Sequence, residues 1–153
     1  MRFVYGFLLG GSMDRLIRKY EGCRLTAYPD PLTKCEPYTI GWGSTVDKNG
    51  KPFRLGDSIS QEMADALLID YLNKNIVPVF QKIPYTLTID QKAAIASLCY
   101  NVGVPSFLRS KCFTAVCNKD FAGIFENWDW GHKQLKGLAI RRADELFNFL
   151  KDL

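Results

Sequence analysis

The sequence contains a single histidine, His132, in 153 residues, and its five cysteines (Cys23, Cys35, Cys99, Cys112 and Cys117) include no CxxC pair. Zinc sites draw on closely spaced Cys and His ligands, and a disulfide framework needs an even set. Neither is indicated, and no metal or cofactor is expected. The thiols read as reduced, as in a protein made in a cytoplasm, with a regulatory disulfide at Cys23 or Cys35 as the alternative. No apolar run approaches the roughly 20 residues that span a bilayer. Low-complexity tracts, repeats and Pro/Gly/Ser-rich linkers are also missing, so a single monomeric domain is expected. The charge excess is small, with 20 Lys and Arg against 16 Asp and Glu for a net +4. That sign favours encounter with anionic polymers. The basic residues are scattered, however, and no nucleic-acid signature accompanies them.

The first nine residues, Met1 to Leu9, have the texture of an export signal, but the apolar core is short and no small-residue cleavage site follows. Residues 1–12 are therefore set apart as a vestigial export segment, an N-terminal arm or a cloning remnant, and residues 13–153 as the domain. Ser12 is placed to cap a helix over 13–21, where Leu16, Ile17 and Tyr20 share a face and Gly22 follows as a stop. Between Arg24 and Leu55 short β-prone pieces (25–28, 38–42, 44–46) alternate with Pro29-Asp30-Pro31 and with the hairpin-turn sequence Asp47-Lys48-Asn49-Gly50. Beyond Ser60 the periodicity is helical. One long helix ends near Pro78, and Thr88-Ile89-Asp90-Gln91 opens the next with a capping box. Shorter helices are expected over 107–118 and 121–128, and a last one over 138–150. This order predicts an α+β fold with a cleft between a small sheet lobe and a larger helical lobe.

Glycosidic bond cleavage needs an acid that protonates the leaving oxygen and a second carboxylate that activates water or attacks the ring. Glu21, at the negative end of the first helix, suits the acid, because the helix dipole there disfavours a further negative charge. Asp30, stiffened between two prolines, and Thr39, whose hydroxyl can orient a water, follow in order. Taken singly, each residue also has a structural reading: a solvated helix-end charge, a turn former and a β-prone strand residue. Trp128 reads as core, Trp130 is left open between core and sugar stacking, and His132 reads as a loop residue without ligand partners.

The segment Glu21-Gly22-Cys23-Arg24-Leu25-Thr26-Ala27-Tyr28-Pro29-Asp30 resembles the opening motif E-G-x-x-L-x-A-Y-x-D of the phage lysozymes (glycoside hydrolase family 24). Thr39-Ile40-Gly41-Trp42-Gly43 resembles their T-I-G-x-G block, and Tyr100-Asn101-Val102-Gly103 their F/Y-N-x-G block. Trp128, Gly137-Leu138, Arg141-Arg142 and Glu145 resemble the closing W…G-L-x-x-R-R-x-x-E. The blocks stand in the family's order over about residues 13 to 150.

This resemblance implies a lysozyme-like fold and an endolysin that hydrolyses the bond between N-acetylmuramic acid and N-acetylglucosamine in peptidoglycan. It implies Glu21 as general acid, Asp30 as the carboxylate that handles water, and Thr39 as its helper. Arg142 or Arg141 would support the acid, and Asn101 would lie at the substrate groove. Inversion at the anomeric centre is implied, as are synthesis in a host bacterium and action at its wall during lysis. Two departures stand out. Eight residues, Pro31 to Tyr38, separate Asp30 from Thr39, a longer loop than the family's usual one, and they offer Glu36 as an alternative carboxylate for the water. Ser44 replaces a histidine common after T-I-G-x-G, which predicts tuning of the site. A lytic transglycosylase using Glu21 alone, and a wall-binding module without catalysis, are the alternative readings.

Overall fold

The structure is a computed structural model that describes residues 12–29, 31, 33–128 and 136–153. Residues 1–11 of the N-terminal arm, Asp30, Trp130 and His132 lie outside the described residues. Helix α1 (Arg15–Tyr20) is followed by strands β1 (Arg24–Tyr28) and β2 (Thr39–Gly41). The helical lobe comprises α2 (Gln61–Tyr71), a π-helical turn (Leu72–Ile76), α3 (Val77–Phe80), α4 (Ile89–Val102), α5 (Val104–Leu108), α6 (Lys111–Cys117), α7 (Phe121–Asn127) and α8 (Lys136–Leu150). The expected α+β organisation is present, and no described helix is long and apolar enough to cross a membrane.

Helix α1 is shorter than expected. Its N-cap is Asp14, whose side chain makes no capping bond, while the Ser12 hydroxyl donates to the Asp14 carboxylate. Glu21 is the C-cap, already in extended conformation, and its N–H donates to the Ile17 carbonyl at 2.7 Å. The two strands pair antiparallel, with Arg24 opposite Gly41 and Tyr28 opposite Thr39 across an irregular register. The expected strand over 44–46 is reduced to isolated bridges, Ile40 with Ser44 and Val46 with Pro52. Asp47 makes the turn between them, its Oδ1 accepting from the N–H groups of Asn49 and Lys51 at 2.8 and 2.9 Å.

The helix expected to end near Pro78 continues through a π turn and α3 and ends at Phe80, two residues beyond it. Pro78 stands in the first turn of α3, directly after the π turn. Helix α4 opens with the complete Thr88–Gln91 capping box. Every residue from Ala93 to Cys99 is buried, so this helix forms the axis of the helical lobe. A helix buried all round shows little amphipathic contrast, and its small residues Ala93, Ala94, Ala96 and Ser97 let α8 and α1 approach closely. The core is closed by Phe107, Trp128 and Phe149, each with no exposed surface.

Candidate active site

The chain leaves the helix at Glu21, already extended, so the acid emerges where α1 turns into β1. A cavity of about 510 Å³ opens there, lined by Glu21, Gly22, Arg24, Tyr28, Pro29, Pro31, Lys34 and Gly43. A second, of about 400 Å³, continues from Gly43 along Ser44–Lys48 to Tyr71, Lys74 and Asn75 on the helical lobe. Both volumes fall in the range of ordinary ligand clefts. Gly43 belongs to both and sits at their junction, at φ +116°, with the Tyr100 ring close beneath it. The Tyr100 hydroxyl donates to the Trp42 carbonyl at 2.8 Å, tying the β-lobe turn to α4. Burial pushes the Tyr100 phenol up, and the negative charge of Glu21 pushes it further the same way.

Glu21 is partly exposed and accepts at Oε1 from Arg141 Nη1 at 2.7 Å. Sequence reasoning left Arg141 and Arg142 as alternative supports for the acid. Arg141 is the one that reaches it. Arg142 points away, bonding Glu145 and the side-chain oxygen of Asn101. Asn101 is itself exposed at the end of α4 and is tied to the same buried cluster. Thr39 opens β2 opposite Tyr28, one residue before the cavity-lining Pro29. Glu36 is exposed, ahead of a cis bond to Pro37, and is not among the described residues that line the cavity. Asp30 lies outside the described residues.

Two features went unread in the sequence. The first is Ser97, whose hydroxyl and carbonyl both bind Arg141 at 3.0 Å. A serine within a helix carries no chemical signature of such a role. The second is the cationic rim of the cleft, Arg24 and Lys34, with the Arg24 guanidinium stacked 4.6 Å from the centre of the Tyr28 ring. Beside the cleft, Asp65 accepts from the Trp42 indole and from Arg18, both at 2.7 Å, and from Gln61 at 3.0 Å. Burial raises the Asp65 carboxyl, but these bonds outweigh it and hold the group below the usual carboxylate range. All five cysteines are free thiols, with Cys99 and Cys112 buried and Cys35 exposed.

Comparison with known proteins places these features in a family. The phage lysozyme family profile matches residues 18–145. The endolysin of Acyrthosiphon pisum secondary endosymbiont phage 1 is 32% identical over 138 residues, covering 85% of this chain and 89% of that protein. The endolysin of Bacillus phage PZA is 31% identical over 140 residues, covering 87% of this chain but 52% of the relative, so this chain spans about half of that longer protein. Among solved structures, the endolysin from Escherichia coli O157:H7 phage FAHEc1 superposes with a TM-score of 0.79 at 26% identity, covering 99% of this chain and 98% of the other. A profile match across most of the chain, together with relatives above 30% identity, shows that the protein belongs to the phage lysozyme family.

Proposed function

We propose that this protein hydrolyses the β-1,4 linkage between N-acetylmuramic acid and N-acetylglucosamine in bacterial peptidoglycan, with Glu21 as general acid. The observation that carries the reading is the Arg141-bound carboxyl of Glu21 at the wall of a cavity that meets, at Gly43, a second one reaching the helical lobe. Family membership makes the protein a phage-type endolysin, a lysozyme-like peptidoglycan hydrolase. The residues support a finer reading. Oε1 of Glu21 is engaged by Arg141, and no described residue bonds Oε2. Oε2 is then the oxygen that delivers the proton to the leaving glycosidic oxygen. Asp30 activates water on the opposite face of the sugar, and Thr39 helps to hold that water. This division of labour is that of an inverting glycosidase. Arg24 and Lys34 give the rim a positive charge suited to the carboxylates of wall peptides. The enzyme acts as a monomer on the wall of the bacterium in which it is made, at lysis.

The decisive test is lysis of outer-membrane-stripped cells by the wild type beside Glu21→Gln. The substitution is expected to abolish clearing while circular dichroism stays native. Near-normal clearing by Glu21→Gln overturns the assignment. Asp30→Asn and Glu36→Gln then identify the carboxylate that serves the water: Asp30→Asn is expected to cost about 100-fold or more and Glu36→Gln little. Reducing ends in the products, read by mass spectrometry, mark hydrolysis, whereas anhydro ends mark a transglycosylase.

A further inference from the structure

The middle of α8 buries more charge than a single support for Glu21 requires. Arg141 and Arg142 are each 3% exposed, and Glu145, one turn further on, has no exposed surface. None of the three lines the cleft cavity. Taking such groups out of water is costly unless each is paired and fully bonded, and here the bonds have a direction. A guanidinium is a rigid planar fork with five N–H donors. On Arg141, Nε donates to Ser97 Oγ at 3.0 Å and to Glu145 Oε1 at 3.1 Å, and Nη2 donates to the Ser97 carbonyl at 3.0 Å. These bonds lie on the helical side and fix the plane of the fork. Nη1 projects from the other side and meets Glu21.

Glu145 is itself held from three elements. The Ser97 hydroxyl donates to Oε1 at 2.6 Å, and the Trp128 indole N–H donates to Oε2 at 3.2 Å. Arg142 Nη1 donates to the same oxygen. The other groups facing the cluster are the ring of Tyr20, 5.7 Å under the Arg141 guanidinium, with Cys99, Tyr100 and Asn101 on α4 and Cys112 on α6. Burial pushes the Cys99 thiol and the Tyr100 phenol up, and it raises the Cys112 thiol to about 12. All three are neutral at working pH. Two guanidiniums against the Glu145 carboxylate leave one positive charge, and Glu21 is the group that meets it.

We propose that Glu145 is a positioning residue for this hydrolysis: acting through Arg141, it fixes the Glu21 carboxyl against the cleft and sets the net charge that carboxyl meets. The inference rests on reading Glu21 as the general acid. Without the negative charge of Glu145, two guanidiniums favour the ionised form of Glu21, which has no proton to give. Without Arg142, the positive charge in the cluster falls and the protonated form is favoured.

The test is steady-state kinetics on soluble peptidoglycan fragments across the pH range, with Glu145→Gln, Arg142→Met and Glu145→Asp beside the wild type. Glu145→Gln keeps the shape and removes the charge. Its kcat at neutral pH is expected to fall about tenfold with KM within about twofold, and the basic limb of its kcat profile to move to lower pH by about one unit. Arg142→Met is expected to move the same limb to higher pH. Glu145→Asp restores the charge with a shorter reach, so its limb returns to the wild-type position while kcat stays reduced. Loss of packing alone lowers the active fraction and moves no limb. A folded Glu145→Gln whose limb stays in place overturns the proposal; if that variant does not fold, an unmoved limb in Arg142→Met does so. Glu21→Gln is measured alongside. If it retains activity, the acid assignment fails; if it is inactive while the limbs stay fixed, the role of Glu145 alone fails.

Discussion

Replacing Gly43 with alanine probes the junction of the two cleft cavities. At φ +116° the backbone lies outside the small left-handed region open to L-residues, and holding a side chain there costs about 1–3 kcal/mol. A second cost comes from contact. The added Cβ would sit 3.3 Å from the Tyr100 hydroxyl oxygen and 3.6 Å from its ring carbon Cε1. The oxygen must give way by a few tenths of an ångström, at the expense of its 2.8 Å bond to the Trp42 carbonyl. A hydrogen bond of this kind is worth about 1 kcal/mol. Together the two terms come to about 2–4 kcal/mol, a loss of roughly 5–15 °C in melting temperature for a domain of this size. The assay is thermal unfolding by circular dichroism on Gly43→Ala, Tyr100→Phe and the double variant. Tyr100→Phe removes the nearest atom and leaves Cε1 at ordinary contact distance, so Gly43→Ala should cost about 1 kcal/mol less on that background. Gly50→Ala is the control. Its φ of +80° is less severe, and nothing lies within 4 Å of the added carbon. Strict additivity in the cycle, or a Gly43→Ala no more costly than Gly50→Ala, refutes the reasoning.

Stability should respond to pH at both ends. The Asp47 carboxyl is held low first by the backbone N–H of Lys51, and Asp90 first by the hydrogen bond from Lys151. Carboxylates with depressed folded values contribute stability that is complete above the unfolded value of about 3.9 and is lost as pH falls through the folded value. Melting temperature should therefore hold near neutrality and decline below about pH 4. Burial does the opposite for Tyr85 and Cys112, each raised to about 12. Their contribution is complete below the unfolded values and disappears as pH rises towards 12, so melting should also fall in strong alkali; a melting temperature flat to pH 12 contradicts this. At the capping box of α4, Thr88 Oγ1 accepts from the Gln91 N–H at 3.1 Å and donates to Asp152 at 2.7 Å. Thr88→Ala should lower the unfolding free energy in urea by about 1 kcal/mol with an unchanged m-value.

Much of this was legible from the residues because local signals and tertiary outcome agree. The capping box at Thr88, the Asp47–Gly50 turn and Trp128 in the core are each written in a few adjacent residues. Where the reading failed, the deciding interaction was distant. Ser12 is a good capping residue by type, yet its hydroxyl turns to Asp14, which is buried and bonded to Arg18. The strand expected at 44–46 lacks a neighbour long enough to pair it, so only isolated bridges form. The choice between Arg141 and Arg142 shows the limit most plainly. Successive residues on a helix point about 100° apart, and only the docking of α8 on α4 decides which one faces Glu21. The R-R-x-x-E spacing was visible, but its consequence needed Ser97 and the end of α1.

The position of the acid is a property of the whole molecule. Helix α1 has six residues, far too few to persist alone in water, so neither the dipole at its end nor the location of Glu21 can be intrinsic to it. Ion pairs and packing supply both. Leu16 and Ile17 bury one face in the core. Arg15 pairs with Asp90 on α4 and bonds Asn148 on α8, and Lys19 pairs with Asp144 on α8. Arg18 reaches the other way, to Asp65 on α2, which in turn holds the Trp42 indole of the β lobe. The helix thus spans the two lobes, with its last residue capped beside the cleft. Exposed pairs of this kind are individually weak, but they act on one rigid element from three sides, and Arg141 adds a part-buried bond at its tip. Helix α1 is therefore one of the ties between the lobes, beside the Tyr100–Trp42 bond, and it is the one that carries the carboxyl the chemistry requires to be held still.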